Sequence, residues 1–257
     1  MITLNELVTF IDQQFKTREL SSYKTESGVT YDSGQSISNI GYATNITVDV
    51  VEKAKQQNVD LIITHHDAWD FIYGLKEAVM EKLKAYHISH YFTHLPLDDA
   101  SFGTNSSLIK KLGLKEVSRH CHFDGYSCGA LGTFDTPVAF KALVETFETL
   151  TEEPALTWNF GNKFVKTVYV VCGAGGETNL MKEALDLGAD VYLTGEKVLY
   201  TMQYANLHNM NLIIGSHTFT ELFGVESLMN IISNQFKSIE VKLIKEDHIE
   251  TLPFRND

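Results

Sequence analysis

The sequence has few cysteines, a shortage of basic residues and no long apolar segment, and each shortage excludes a class of protein. Only 3 of the 257 residues are cysteine. That is too few for a disulfide framework in a chain of this length, so we expect a reducing compartment. No apolar run approaches the roughly 20 residues that a membrane-spanning helix needs. No basic segment followed by an apolar one opens the chain, so we predict no signal peptide and a soluble, cytoplasmic protein.

The shortage of positive charge excludes a general nucleic-acid binder. The 21 Lys and Arg residues are outnumbered by 33 Asp and Glu residues, which gives a formal net charge of −12. An acidic surface repels phosphate backbones, so nucleic-acid binding is disfavoured. The partner we expect is a small-molecule substrate, and we expect no membrane partner. Hydrophobic residues make up 44% of the chain and charged residues 21%, as in globular proteins with a sizeable core.

The pattern of apolar residues predicts an α/β fold with mostly parallel sheets. Thr3 and Glu6 have capping-box spacing before a helical apolar stripe. Residues 17–38 are polar and glycine-containing, which predicts a long loop with little regular structure. From Ile40 onwards, short apolar runs alternate with helical patterns, and one helix is predicted to begin at Thr136 with Pro137 in its first turn. The predicted strands lie near residues 40–45, 60–64, 88–93, 130–134, 166–171, 190–193, 211–215 and 239–244.

Residues that bind metals follow three of the predicted strands. They are His65 and His66, then His94 and Asp98, then His217 and Glu221. Sites in open α/β sheets form beyond the carboxyl ends of strands, so these side chains are candidates for one site. Three imidazoles and two carboxylates are too many for one tetrahedral zinc with an open position. They suit two divalent ions about 3.5–4 Å apart that share a bridging carboxylate.

Each of these residues also has a purely structural interpretation. The His65–His66 pair could be a polar loop. Asp98 could cap the helix that follows, and Glu221 could be the capping-box partner of Thr218. His94 could donate a hydrogen bond to a ligand rather than bind a metal itself.

Taken together, the motifs resemble the Nif-three-like family, whose bacterial members are known as GTP cyclohydrolase type 2 homologues. The resemblance is carried by five segments from about residue 40 to the end of the chain: Ile62-Ile63-Thr64-His65-His66, His94-Leu95-Pro96-Leu97-Asp98, Val171-Cys172-Gly173-Ala174-Gly175-Gly176, Leu193-Thr194-Gly195-Glu196 and Gly215-Ser216-His217-Thr218-Phe219-Thr220-Glu221.

The resemblance implies two interlinked α/β domains, a dinuclear metal site in the cleft between them, and a homo-oligomer in the form of a hexameric ring. It implies that His66 and Asp98 bind one metal, that His65 and His217 bind the other, and that Glu221 bridges both. The break in rhythm near residues 113–129 then predicts a first domain of residues 1–122 plus 216–257 and a second of residues 123–215. The ligand types suit zinc, iron, manganese or nickel.

This sequence departs from the family pattern beside the expected ligands. Asn45 stands where the family often has Asp, and Asp67 follows the histidine pair where a Pro is frequent. Leu199 and Tyr200 occupy the region in which a His tends to follow the Thr-Gly-Glu stretch. All five metal-ligand positions match, whereas residues on the substrate side differ.

Three further motifs have alternative interpretations. His120-Cys121-His122 with Cys128 could bind zinc, or could be a polar linker with buried thiols. The Gly173–Gly176 loop could contact a phosphate, or form a tight turn between strand and helix. Glu196 could act as a base near the metals, or could be a carboxylate favoured at a helix start.

Two functions are compatible with these motifs. The first is a dinuclear metal-dependent hydrolase that acts on a nucleotide-like small molecule, as a GTP cyclohydrolase type 2 would, with Glu196 or His94 managing protons. The second is a non-catalytic metal-binding or regulatory protein, which would bind metal without turnover.

Overall fold

We describe a computed structural model of the chain, which covers residues 1–251. In chain order, its elements are α1 (Leu4–Gln14), a 3-10 turn (Lys16–Glu19), α2 (Tyr23–Glu26), β1 (Ser27–Tyr31), β2 (Asn39–Ala43), α3 (Val48–Gln56), β3 (Leu61–Thr64), α4 (Leu75–Tyr86), β4 (Ser89–Thr93), α5 (Leu95–Asp99), α6 (Thr104–Lys111), β5 (Lys115–Phe123), β6 (Tyr126–Ala139), α7 (Phe140–Thr151), β7 (Leu156–Trp158), β8 (Phe164–Val171), α8 (Thr178–Asp186), β9 (Val191–Thr194), α9 (Leu199–Leu207), β10 (Asn211–Ile214), α10 (His217–Gln235) and β11 (Glu240–Leu243).

The chain divides into two compact units. The first unit comprises Met1–Gly103 and Gly224–Glu246, and the second comprises Thr104–Phe223 and, within the described part of the chain, residues 247–251. The domain ranges expected from the sequence, 1–122 plus 216–257 and 123–215, stay a prediction, and their last residues, 252–257, lie outside the described part. Within residues 1–251, no helix combines the length and the apolarity that crossing a membrane requires.

The first unit is a five-stranded sheet in the order β1-β4-β3-β2-β11. Its strands pair in parallel, except that the edge strand β1 runs antiparallel to β4. All four residues of β3 are buried, because apolar clusters cover both faces of the sheet. Ile63 packs in one cluster with Leu7 of α1, and Ile62 in the other with Leu83 of α4. Because apolar clusters cover both faces of the sheet, the sequence of β3 is a continuous apolar run.

The second unit is a six-stranded sheet in the order β5-β6-β8-β9-β10-β7. The strands β8, β9 and β10 are parallel neighbours, whereas β5, β6 and β7 join by antiparallel pairing. Leu193 and Ile213 pack on one face, and Tyr192 and Leu212 on the other. The prediction of an α/β fold is confirmed. The parallel pairing that the sequence indicates predominates in the first sheet, whereas the second sheet combines parallel and antiparallel pairs.

Two local predictions are wrong. Residues 17–38 are not a loop with little structure, because α2 and β1 lie there and β1 pairs with β4. Thr136 and Pro137 lie inside β6, and the next helix begins only at Phe140. The pairing of β6 with β8 shifts register between Thr133 and Val138, and such an irregularity tolerates a proline that cannot donate to the ladder. The short strand β7 had no predicted counterpart.

A buried histidine in β4 is held neutral beside the end of β3. His90 Nε2 lies 2.8 Å from Thr64 Oγ1, which itself donates to the carbonyl of His66 at 2.6 Å. Thr64 Oγ1 therefore accepts from His90 Nε2–H. His90 Nδ1 must then accept from Thr30 Oγ1, at 2.6 Å. Burial lowers the pKa of His90 to about 3, because the charged ring would lose its hydration.

This neutral histidine predicts a loss of stability in acid. The pKa of His90 is about 3 in the native state, against 6.5 for an unperturbed histidine, so below pH 6.5 the unfolded chain binds a proton that the native chain does not. The effect of His90 on the free energy of unfolding is therefore absent above pH 6.5. As the pH decreases from 6.5 towards 3, this free energy falls by about 1.4 kcal/mol per pH unit. His90→Gln should reduce the slope of unfolding free energy against pH by about that amount, measured by urea unfolding from pH 7 to pH 4.

The control is His87→Asn, at an exposed position whose φ of 55° suits asparagine. This variant should keep the wild-type slope. Equal slopes for the wild type and His90→Gln would contradict the prediction.

Candidate metal centre

The two adjacent histidines lie side by side because the chain turns sharply after β3. The backbone N–H groups of His65 and His66 both donate to the carbonyl of Thr44, at 3.0 and 2.9 Å. In a regular strand, successive side chains point to opposite faces. Here the shared acceptor curls the backbone, and the ring centroids are 4.6 Å apart. Both side chains are buried.

Two of the imidazoles in the first unit are oriented by an acceptor at Nδ1. His65 Nδ1 lies 2.9 Å from the carbonyl oxygen of Thr93, which can only accept. His94 Nδ1 lies 2.8 Å from Glu26 Oε2, so this ring also donates through Nδ1. In a neutral imidazole that donates through Nδ1, the lone pair is on Nε2. Metal-binding histidines use their second ring nitrogen in the same way.

The third imidazole is oriented through a chain of two further residues. His66 Nδ1 lies 2.8 Å from Asn45 Oδ1, and Asn45 Nδ2 donates to Glu246 Oε1 at 2.8 Å. The bond to Glu246 identifies the nitrogen of the amide, so Asn45 Oδ1 must accept from His66. Glu246 also accepts from the backbone N–H of Thr44, at 2.7 Å. Asn45 thus links the ring of His66 to the carboxylate of Glu246.

One ring nitrogen from each of His65, His66 and His94 lies within 4.8 Å of the other two. Asp98 adds a carboxylate oxygen 3.5 Å from His65 Nε2. It lies within α5, which begins directly after His94. Neutral imidazole nitrogens and a carboxylate are the donors that divalent transition metals prefer. This buried histidine and aspartate group could therefore hold a metal ion.

The second unit carries a histidine between two carboxylates. His217 Nε2 lies 3.3 Å from Glu221 Oε1, one turn further along α10, and His217 Nδ1 lies 3.1 Å from Glu196 Oε1. Burial alone would lower the pKa of His217, but Glu221 and Glu196 outweigh it and raise the pKa to about 11. The pair of carboxylates therefore attracts positive charge to this position, whether a proton or a metal ion.

Glu221 and His217 occupy space that a side chain at position 173 would otherwise fill. Gly173 has a φ of 63°, and a Cβ atom there would lie 1.9 Å from Glu221 Oε1 and 2.8 Å from His217 Nε2. Its N–H donates to Thr220 Oγ1 at 3.0 Å, and its carbonyl accepts from Gly195 N at 3.1 Å. These contacts make the Gly173–Gly176 loop a tight turn that packs against the start of α10.

A buried carboxylate fixes the residue before His217. Glu153 accepts from the N–H of Ser216 at 3.0 Å and from its hydroxyl at 2.5 Å, and also from His248 and Thr251. Ser216 Oγ in turn accepts from Phe219 N at 3.1 Å, so Ser216 caps α10. The capping-box interpretation of Thr218 and Glu221 is therefore wrong, because Glu221 lies inside the helix beside His217.

The cysteine-containing motif remains outside any candidate site. Among the described residues, none of the groups with metal-ligand spacing includes a cysteine. His120, Cys121 and His122 lie in β5, where His120 Nε2 pairs with Ser118 Oγ at 2.7 Å and Cys121 N donates to Glu183. The segment is part of a strand and not a linker.

The predicted site residues thus form two groups, one in each unit. His65, His66, His94 and Asp98 form the first group, and His217, Glu221 and Glu196 form the second. Sequence reasoning predicted no ring-orienting role for Glu26, Asn45 or Glu246, although Asn45 was noted as a departure from the family pattern. Asn45 had a usable signal, because it lies just after β2, which pairs in parallel with β3. The other two had none, because 68 and 180 residues separate them from their rings in the sequence.

The fold and these groups define an α/β protein with histidine and carboxylate side chains that could hold a metal ion. The sequence profile of Duf34/NIF3 (NGG1p interacting factor 3) matches residues 2–249. The chain belongs to the Duf34/NIF3 family.

Individual relatives agree with this assignment. The chain is 29% identical over 240 residues to a "GTP cyclohydrolase 1 type 2 homolog" of Pyrococcus horikoshii, covering 90% of this chain and 94% of the relative. Its fold is similar to that of ybgI, a protein of unknown function, with a TM-score of 0.84, 22% identity and coverage of 96% and 100%. It is also similar to a Bacillus cereus protein related to NIF3, with a TM-score of 0.76, 15% identity and 98% of each chain covered.

Gly173→Ala should weaken metal binding, because the added methyl group would displace Glu221 and His217 from each other. We expect a loss of zinc affinity of roughly tenfold or more, comparable to the loss of an outer hydrogen-bond partner. The measurement is competition with a zinc chelator. Gly188→Ala is a matched control with a φ of 76° and no atom within 4 Å of the new methyl group. It should share the backbone strain and keep the affinity, and equal losses in both variants would refute the steric argument.

Asn45→Ala should also weaken zinc binding, by about 10–100-fold, because His66 would lose the acceptor that sets its ring orientation and tautomer. The same competition measurement applies. Asn230→Ala, at an exposed position of α10, provides the comparison. Wild-type affinity in Asn45→Ala would show that the orientation of His66 does not depend on this amide.

Proposed function

We propose that this protein is a dinuclear metal-dependent hydrolase that acts on a nucleotide-like small molecule. The observation that carries the proposal is that His65 and His66, which would bind metal, and His94 beside them are each oriented by an acceptor at Nδ1, with one ring nitrogen of each within 4.8 Å of the other two. A purely structural histidine cluster has no need for three rings that each direct Nε2 away from a fixed acceptor. Ordered imidazoles of this kind are what a metal site requires.

Five side chains hold the two ions in this proposal. His66 and Asp98 would hold one ion, His65 and His217 would hold the other, and both ions would share Glu221. The donor types, and the high pKa of His217 between two carboxylates, support it. The ions are zinc, iron, manganese or nickel, and they would supply Lewis-acid chemistry for hydrolysis.

The remaining polar side chains manage protons and orientation. His94 is partly exposed and is held by Glu26, so it can bring a proton to a substrate or take one from it. The role of a base that the sequence suggests for Glu196 stays a prediction. Glu196 also accepts from His217 Nδ1 and so orients that ring.

Elemental analysis tests the metal centre. Purified protein loaded with zinc should contain close to two ions per chain. His217→Ala should lower this number, and so should Asp98→Ala, whereas Asp135→Ala at an exposed position should not. A preparation that never takes up metal, or variants with an unchanged content, would contradict the proposal.

The relatives' name, GTP cyclohydrolase 1 type 2 homolog, supports a guanine nucleotide as the first substrate to test. Metal-loaded protein is incubated with GTP, and loss of the ultraviolet band of the purine is followed. Opening of the ring should be more than about tenfold slower in Asp98→Ala than in the wild type, since a metal ligand matters at least as much as its outer partners. The absence of GTP turnover with all four metals would refute the proposed GTP cyclohydrolase activity.

Binding without turnover would favour the second function. A non-catalytic metal-binding or regulatory protein would contain the same ions and would leave GTP and other small molecules unchanged. Metal analysis combined with an untargeted metabolite screen separates the two functions.

We also propose a homo-oligomer in the form of a hexameric ring, located in the cytoplasm. The family resemblance and exposed apolar side chains such as Phe164 and Leu207 support assembly, and the low cysteine content supports a reducing compartment. Sedimentation equilibrium should give six times the chain mass of 28.9 kDa, and a monomeric mass would refute the ring.

A further inference from the structure

An open pocket lies beside the histidine group of the first unit. Its volume is about 360 Å³, within the range of sites for small molecules. His66 and His94 contribute to its wall, so a ligand held here would have one end at the proposed metals. The rest of the wall comes chiefly from the segment after His66, with Asp67, Trp69 and Phe71.

Aromatic rings form one side of this pocket. The ring of Trp69 meets His66 edge to face at 4.8 Å, and Phe71 meets Trp69 in the same way at 4.8 Å. Phe71 is 67% exposed, and nearby Tyr73 is 96% exposed. Apolar rings left in water beside a pocket are typical of a surface that binds a flat apolar group.

The charges around the pocket disfavour an anion. Asp67, Asp70 and Glu26 contribute three carboxylates, and Lys76 is the single Lys or Arg among the residues that line it. Lys76 Nζ lies 3.0 Å from Asp70 Oδ1 and 3.8 Å from Asp67 Oδ2, so its charge is largely compensated. A phosphate placed here would meet a negative potential.

Asp67 is the polar group best placed to recognise a ligand. It follows His66 directly, and its side chain is 27% exposed. A carboxylate has two oxygens and only accepts, so it can pair with two neighbouring N–H groups at once. Because Asp67 is partly removed from water, such donors gain more from it than from an exposed carboxylate.

We propose that this pocket binds a planar nitrogen heterocycle, uncharged or cationic, which stacks against Trp69 and Phe71 and presents two neighbouring N–H groups to Asp67. The proposal rests on the proposed function in one respect, since His66 and His94 mark the reacting end of the ligand. Asp67 is then a specificity residue, and any phosphate carried by the substrate lies outside the pocket.

Fluorescence of Trp69 tests this assignment directly. The chain has two tryptophans, so Trp158→Phe leaves Trp69 as the only probe. Zinc-loaded protein in this background is titrated with guanosine, which presents neighbouring N–H groups at N1 and N2, and with inosine, which lacks the amino group. Guanosine should bind at least about tenfold more tightly than inosine, as expected for a hydrogen bond to a charged group. GTP should bind no more tightly than guanosine.

Two variants isolate the carboxylate. Asp67→Asn has the same shape and should abolish the preference for guanosine over inosine. Lys76→Met removes the same ion pair but leaves the carboxylate, and should retain the preference. Circular dichroism confirms that both variants fold, and calorimetry with Trp69→Ala should show weaker guanosine binding without relying on the fluorescent probe.

The outcomes separate the pocket from the hydrolase. Guanosine binding that depends on Asp67, in a protein that never turns over GTP, would support the pocket and contradict the enzyme. GTP turnover with no saturable binding of guanosine would refute the pocket alone, and so would a tenfold preference that survives Asp67→Asn. Tighter binding of GTP than of guanosine would refute the exclusion of phosphate.

Discussion

The hydrogen bonds at the Nδ1 atoms of four histidines are the constraint on which the candidate site depends. His65, His66, His94 and His217 each have an acceptor 2.8–3.1 Å from Nδ1. An imidazole can rotate about two bonds and can protonate on either nitrogen. A fixed acceptor removes the rotation and, in the neutral rings of the first unit, selects the tautomer with the lone pair on Nε2. The acceptors differ in kind, and they come from distant parts of the chain.

The backbone around the site is arranged to hold these rings close together. Thr44 accepts two consecutive N–H groups and so brings neighbouring side chains to the same side. Gly173 leaves out a side chain where a methyl group would meet Glu221. Ser216, held by the buried Glu153, starts α10 so that His217 falls in its first turn. In each case a local backbone requirement is met by a residue that has no ligand chemistry of its own.

Negative charge dominates both ligand groups and also the pocket next to the first one. Buried carboxylates repel each other and lose hydration, so they favour any cation that can come between them. The high pKa of His217 is the same effect expressed with a proton. The acidic composition of the chain is therefore matched by the local chemistry of its buried groups.

Much of the fold could be read from hydropathy, and the errors have specific causes. The buried strands β3, β9 and β10 were predicted because each is a continuous apolar run before a polar turn. The hairpin of β5 and β6 was missed, although Asp124-Gly125 is a strong signal for a two-residue turn and both residues have positive φ. β1 was missed because it is a polar edge strand, stabilised by pairing with β4 and not by its own periodicity.

The sequence by itself determined which residue types could bind a metal and that they follow buried strands, because the alternation of apolar runs with polar turns is local. It also determined the family, through motifs whose spacing is local as well. Only the tertiary structure decided which partners orient the rings, since Glu26 and Glu246 are far from their histidines in the chain. The physical reason is that a hydrogen bond depends on a distance of about 3 Å in space, and sheet pairing and helix packing set that distance without leaving a pattern in the sequence.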